Sequence, residues 1–181
     1  MTETPHTSFQ QLLHDQISNE FSASQQYIAV AVYYDSHDMP QLAKHFYRQS
    51  VEERNHAMMI TQYFLDRDLA VEISAASAPT TTFADFREPI KLALAQEKQV
   101  TEQIVALAKA ARDSGDYLGE QFMQWFLKEQ VEEVATITTL QTIAERSNGN
   151  IFDLEAFVER EVNSAAGNVD PNEPAAAGGN L

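Results

Sequence analysis

The chain has 181 residues, of which 27 are acidic and 12 basic, giving a formal net charge of −15, and it contains no cysteine. That length fits one domain with a substantial core; disulfides, thiolate zinc sites and thiol catalysis are excluded, and the charge repels nucleic-acid backbones while concentrating cations. No apolar run approaches the roughly 20 residues that span a bilayer, and Met1-Thr2-Glu3-Thr4-Pro5 does not resemble a secretory signal, so a cytoplasmic protein with no membrane or nucleic-acid partner is expected.

Hydrophobic periodicity predicts helix almost throughout and an all-α fold. A first segment, about 8–36, carries Leu13, Ile17, Glu20, Ser24, Tyr27, Ala31 and Tyr34 on one face. His37-Asp38-Met39-Pro40 breaks it, and Pro40 suits the first turn of a second helix, about 40–67. That helix places Leu42, Phe46, Gln49, Glu53, His56, Ile60 and Tyr63 on its stripe. A third, about 86–112, reads Phe86, Ile90, Ala93, Glu97, Val100, Ile104 and Leu107. After Ser114-Gly115-Asp116, a fourth, about 116–146, reads Phe122, Phe126, Gln130, Glu133, Ile137, Leu140 and Ala144. Every stripe advances by three and four residues, and every stripe is interrupted by an acid near its midpoint.

The connections set the topology. Short breaks join segments one to two and three to four, so each pair is an antiparallel hairpin. Asp68 to Asp85 lies between the hairpins. A helix of about 27 residues is roughly 40 Å long, and about 18 extended residues reach roughly 60 Å, so this connection can cross the whole bundle. One long crossover with helices two and three parallel follows. A short fifth helix is expected over about 151–162, with Phe152, Leu154 and Phe157 apolar, and it completes a domain spanning 1–162. Residues 163–181 are rich in Ala, Gly, Asn and Pro and are expected to be a disordered tail, whose last residues can also serve as an adaptor peptide for a partner.

Glu20, Glu53, Glu97 and Glu133 stand where a helix would bury Leu or Ile. Glu53-x-x-His56 and Gln130-x-x-Glu133 each put two groups on one helix face. Mid-helix residues of such a bundle meet at one level, so these six groups can converge in the core. Ionised groups there are costly unless a cation neutralises them, and no Lys or Arg shares their stripes. Carboxylates with one imidazole and no thiolate favour iron or manganese over structural zinc, and a bridging carboxylate such as Glu53 can hold two cations. Glu52, Glu129 and Glu132 flank the six and are candidates for a third, weaker iron position; as bland alternatives they are a solvated helix edge. Tyr27 and Trp125 are candidate electron donors, or simply core aromatics. His6, His14, His37 and His45 lack ligand spacing and are expected at the surface or in local hydrogen bonds.

The chain resembles the ferritins over about 9–162. The likeness is carried by Asn19-Glu20, by Val51-Glu52-Glu53-Arg54-Asn55-His56, by Glu97, and by Gln124-Trp125-Phe126-Leu127-Lys128-Glu129-Gln130-Val131-Glu132-Glu133. One Glu from each of two helices plus Glu-x-x-His from the other two is the known di-iron carboxylate arrangement; here Gln130-x-x-Glu133 replaces the second pair. The motifs are most similar to the non-haem bacterial ferritins of actinobacterial type. The resemblance implies a first iron on Glu20, Glu53 and His56, with Glu53 bridging to a second on Glu97 and Glu133 and Gln130 beside it. It also implies a cage of 24 identical subunits, the fifth helix gathered at a four-fold axis, and acidic three-fold channels to which Glu120 is a candidate contributor. Haem is not expected, because Arg54 stands where bacterioferritins carry their haem-ligating Met, although Met58 and Met59 are near. DNA-protecting mini-ferritins lack a fifth helix and place iron between subunits, unlike this pattern.

The expected function is ferroxidase and iron store. Two rivals keep part of the pattern: a di-iron peroxidase or oxygenase without storage, and a helical structural protein whose acids bind nothing.

Overall fold

The computed structural model describes residues 8–164 and 170–181. Among these are α1 (Phe9–Asp35), α2 (Pro40–Asp66), α3 (Glu88–Asp113), α4 (Tyr117–Arg146) and α5 (Ile151–Phe157), with no strand. Each boundary has a local cause. Ser8 and Gln11 form a reciprocal capping box that starts α1. Asp116 accepts from the Gly119 N–H to start α4, and Asn150 accepts from the Asp153 N–H to start α5. Helix α3 begins two residues later than the pattern predicts, with Pro89 in its first turn. The expected fifth helix is α-helical only to Phe157; Val158–Asn163 continues it as a π-helix. Asn148 (φ 49°) and Gly149 (φ 87°) take left-handed backbone in the turn between α4 and α5.

Helix α2 has no side-chain cap of its own, since Met39 precedes it. Its first amides instead donate to a distant carboxylate: Gln41 N–H and Leu42 N–H lie 2.7 and 2.9 Å from the two Glu155 oxygens on α5. A carboxylate at that helix end satisfies orphan donors and complements the helix dipole. Replacing Glu155 by Ala is therefore expected to lower stability by about 1–2 kcal/mol and to speed hydrogen exchange at residues 41 and 42. Unaltered exchange at those two amides would refute the cap.

Helices α1 and α2 form one hairpin, α3 and α4 the other, and α1 also packs on α3. Gly119 permits the hairpins to close at one end, because a Cβ there would sit 2.3 Å from the Phe9 ring. Arg67 ties the end of α2 to the start of α4 through Asp116 at 2.8 Å. The crossover is fastened along one row of α1, where Ser18, Ser22 and Gln26 are spaced by four. Ser18 donates to the Ala75 carbonyl, Ser22 accepts from the Ser77 N–H, and Gln26 both accepts from and donates to the Thr80 backbone. A loop of this length is thereby held along the bundle. The all-α four-helix bundle with one crossover and a short fifth helix is the observed fold.

The core is divided in two. One cluster gathers Tyr34, Phe46, Ile90, Leu140 and Leu154; the other gathers Ile17, Ile60, Phe64, Ile104 and Phe126. On each of the four long helices the mid-stripe acid falls at the border between them. Burial of aliphatic and aromatic surface above and below fixes the height of that border, so packing places the acids at a common level.

Composition alone misjudges the C-terminal stretch. Residues 170–181 are not free in solvent but lie against α2 and α4: Ala176 and Ala177 are buried, and Ala177 N–H donates to the Met58 carbonyl at 3.0 Å. Asp170 meets Lys128 at 2.7 Å, and the Leu181 N–H donates to Asn55 Oδ1 at 3.3 Å. Small side chains let this segment approach the helix surface closely, which a count of bulky residues does not register. Residues 1–7, with His6, and 165–169 lie outside the described residues. Among the described residues no helix is long and apolar enough to cross a membrane.

Candidate metal centre

Glu20 on α1, Glu53 and His56 on α2, Glu97 on α3, and Gln130 and Glu133 on α4 are all buried. One ligand atom each of Glu20, Glu53 and His56 lies within 4.8 Å of the others. His56 Nδ1 is 3.4 Å from Glu53 Oε2, and its ring is held edge-on by Trp125 and Phe126, with centroids at 5.6 and 5.7 Å. Glu133 lies close enough to feel the charges of Glu97 and Glu53, and Gln49 Nε2 donates to its Oε1 at 3.3 Å. Thr101 Oγ1 donates to Gln130 Oε1 at 2.9 Å, fixing that amide.

Two carboxylate oxygens, Glu20 Oε2 and Glu97 Oε2, are buried with no hydrogen-bond partner. Tyr27, expected on the same face as Glu20, is buried and donates through its hydroxyl to Glu97 Oε1. Burial and then the Glu97 charge hold that phenol well above its ordinary range.

The electrostatics are those of carboxyls crowded in the interior, where burial and mutual repulsion favour the protonated form over the charge. Burial, then Glu53, raises the Glu20 carboxyl well above the usual range. Burial, then Glu97, does the same to Glu53 and to Glu133. Burial pushes Glu97 up to about 7. No Lys or Arg among the described residues forms an ion pair with any of the four. Glu20, Glu53 and His56 could hold a divalent cation, which would supply positive charge and partners together, and oxygen-rich donors with one imidazole suit iron.

The flanking acids divide. Glu52 and Glu129 are half-buried, Glu132 is exposed, and all three border two clefts between α2 and α4. One cleft, about 590 Å³, also takes in His45, Gln49 and Glu133. The other, about 170 Å³, reaches His56 and is also lined by Asp170 and Glu173. Burial raises the Glu129 carboxyl, while Gln49 and Arg48 contact Glu52. Trp125 is half-buried with its indole Nε1 unpartnered. Glu120 is engaged by Arg112 at 2.6 Å. Arg54 donates to Asn55 Oδ1, Met59 is buried, and Met58 is half-buried beneath the C-terminal stretch.

His45, expected at the surface or in a local hydrogen bond, takes the second course inside the bundle. It is 1% exposed, its Nδ1 is 3.2 Å from Arg48 Nη2, and burial followed by Arg48 lowers its pKa to about 3. The sequence reading also missed Gln16, Gln49 as a hydrogen-bond donor, Thr101, and the acids Asp170 and Glu173. A glutamine one turn before a mid-stripe acid, as Gln16 stands before Glu20, is the signal that was available.

Residues 10–146 match the family described as ferritin-like domain. A protein named ferritin BfrB from Mycolicibacterium smegmatis is 61% identical over 175 residues, covering 97% of this chain and 96% of its own. A Mycobacterium tuberculosis protein named bacterioferritin BfrB is 56% identical over 179 residues, covering 99% and 98%. Among solved structures, an open-pore ferritin from the archaeon Archaeoglobus fulgidus superposes with a TM-score of 0.81 at 23% identity, covering 84% of this chain and 95% of that one.

Proposed function

The chain belongs to the ferritin-like domain family, and from that premise we propose that it is an iron-storing ferritin whose bundle interior is a ferroxidase centre. The observation that carries the reading is the convergence of Glu20, Glu53 and His56 within 4.8 Å, beside carboxylate oxygens that have no protein partner. Iron is the substrate. Glu20, Glu53 and His56 take a first Fe(II); Glu53 bridges to a second held by Glu97 and Glu133, with Gln130 alongside to orient the oxidant or water. Tyr27 holds Glu97 through Oε1 and leaves Oε2 for iron.

Each Fe(II) gives up one electron. With dioxygen, two Fe(II), one O2 and four waters yield two ferric oxyhydroxide units, one hydrogen peroxide and four protons. With peroxide the O–O bond breaks, and two Fe(II), one H2O2 and two waters yield the same ferric units and four protons. Ferric ions leave by way of Glu52 and Glu129, which border the clefts between α2 and α4, toward a mineral inside a homo-oligomeric cage. Phe152 on α5 is 88% exposed, an apolar side chain that subunit contact would cover. Residues 1–162 form the iron-handling domain of a cytoplasmic protein without haem. An adaptor role for the last residues requires their release from α2.

Anaerobic titration with Fe(II) tests the centre: stoichiometric tight binding of two ions per chain is expected, and absence of tight binding would reduce the acids to passive residues. In the same preparation, 24 chains of 20.3 kDa give a mass of about half a megadalton; a monomer or dimer would favour a di-iron enzyme without storage.

A further inference from the structure

Gln16 lies one turn before Glu20 on α1 and is 1% exposed. Its Nε2 donates to Glu20 Oε1 at 2.8 Å. Its own Oε1 accepts from Asn19 Nδ2 at 3.3 Å, so the amide is oriented with its N–H toward the acid. The two oxygens of Glu20 are thereby made unequal: Oε1 is engaged by a neutral donor, while Oε2 is buried without a partner and the carboxylate belongs to the group formed with Glu53 and His56. Glu97 shows the same division, with Tyr27 on Oε1 and Oε2 free.

We infer that Gln16, oriented by Asn19, is a positioning residue that holds Glu20 to single-oxygen ligation of the first Fe(II). The inference rests on the reading of Glu20 as an iron ligand. A carboxylate free to turn can chelate with both oxygens and fill two coordination positions. One with an oxygen already engaged offers one and leaves a position open for the oxidant. A neutral amide suits the task because it supplies an N–H without charge. A Lys or Arg in its place would pair with Glu20 and compete with the iron for its negative charge. Partners that orient metal ligands typically alter affinity or activity by 10–100-fold when removed.

The test uses the full chain and Co(II), a redox-inert probe whose visible d–d bands weaken as coordination number rises. Gln16→Met keeps the length of the side chain and removes the donor. Wild-type protein should give an intense first-site band. Gln16→Met should give a weaker band of higher coordination, and Fe(II) oxidation should slow roughly 10-fold, with helical content and assembly mass unchanged. Asn19→Leu retains Gln16 but frees its amide to turn, so an intermediate spectrum is expected; this half-buried position also serves if Gln16→Met fails to fold. Spectra and Co(II) affinity matching wild type in the folded variants would overturn the inference while leaving the ferroxidase reading intact. Failure of the wild-type protein itself to bind Co(II) or Fe(II) would instead overturn that reading.

Discussion

Replacing Glu53 and His56 together by Ala is expected to eliminate fast Fe(II) oxidation, lowering the initial rate by more than about 100-fold, above the 10–100-fold that loss of an outer partner costs, with helical content unchanged. The first iron loses two of its three ligands and the second loses its bridge, so no pair of ions remains to pass electrons together. The fold survives because the two apolar clusters that hold the helices together are built from other residues, His56 touching only the edge of one through Trp125 and Phe126. Stopped-flow absorbance under excess oxygen reads the rate, and circular dichroism reads the helix. A double variant that oxidised iron at the wild-type rate would place the chemistry elsewhere in the molecule.

The second large effect concerns stability without metal. The four buried carboxyls have folded-state pKa values above their unfolded ones, Glu97 at about 7. The folded state therefore binds protons that the unfolded state has released. Stability from these groups is complete below about pH 4.5 and is lost as pH rises through the folded values. The metal-free protein should accordingly melt at lower temperature at pH 8 than at pH 5.5. Glu97→Gln removes that group's share, on the order of 2 kcal/mol between those two pH values, and should flatten the dependence by several degrees. Saturating Fe(II) under anaerobic conditions, or Co(II), should reverse the trend, since cation binding displaces the protons and stabilises the ionised acids. Scanning calorimetry of wild type and Glu97→Gln at both pH values checks the sign. A metal-free protein more stable at pH 8, with Glu97→Gln following it, would mean the acids are already compensated.

The same carboxylates explain why so much was legible beforehand. A Glu at the centre of an otherwise apolar stripe violates the helix's own periodicity, and the violation recurs at Glu20, Glu53, Glu97 and Glu133. Spacing of three then adds His56 and Gln130. The limits of the four long helices agree with the structure to within two residues, because Pro40, Ser8 and Asp116 are strong local signals. Within the bundle, what escaped notice is polar and uncharged. Gln16 and Gln49 sit on helix faces where an amide reads as ordinary interface, and their role emerges only when the acid they touch is seen. The docking of residues 170–181 escaped for the opposite reason, since alanine packs by being small and leaves no pattern. The cap that Glu155 provides joins residues 113 and 114 positions apart in sequence, a separation no local rule reaches.

The turn between α4 and α5 also sets how the protein ages. Asn148 is exposed and followed by Gly149, both in left-handed backbone. Without a side chain at Gly149, its amide nitrogen can attack the Asn148 carboxamide, expel ammonia and close a succinimide ring. Hydrolysis of that ring leaves aspartate or isoaspartate, which adds a negative charge and, in the isomerised form, one extra backbone atom. The damage falls on the link that carries Glu155 to the start of α2, so old molecules should lose the anchorage of the fifth helix before the four-helix body changes.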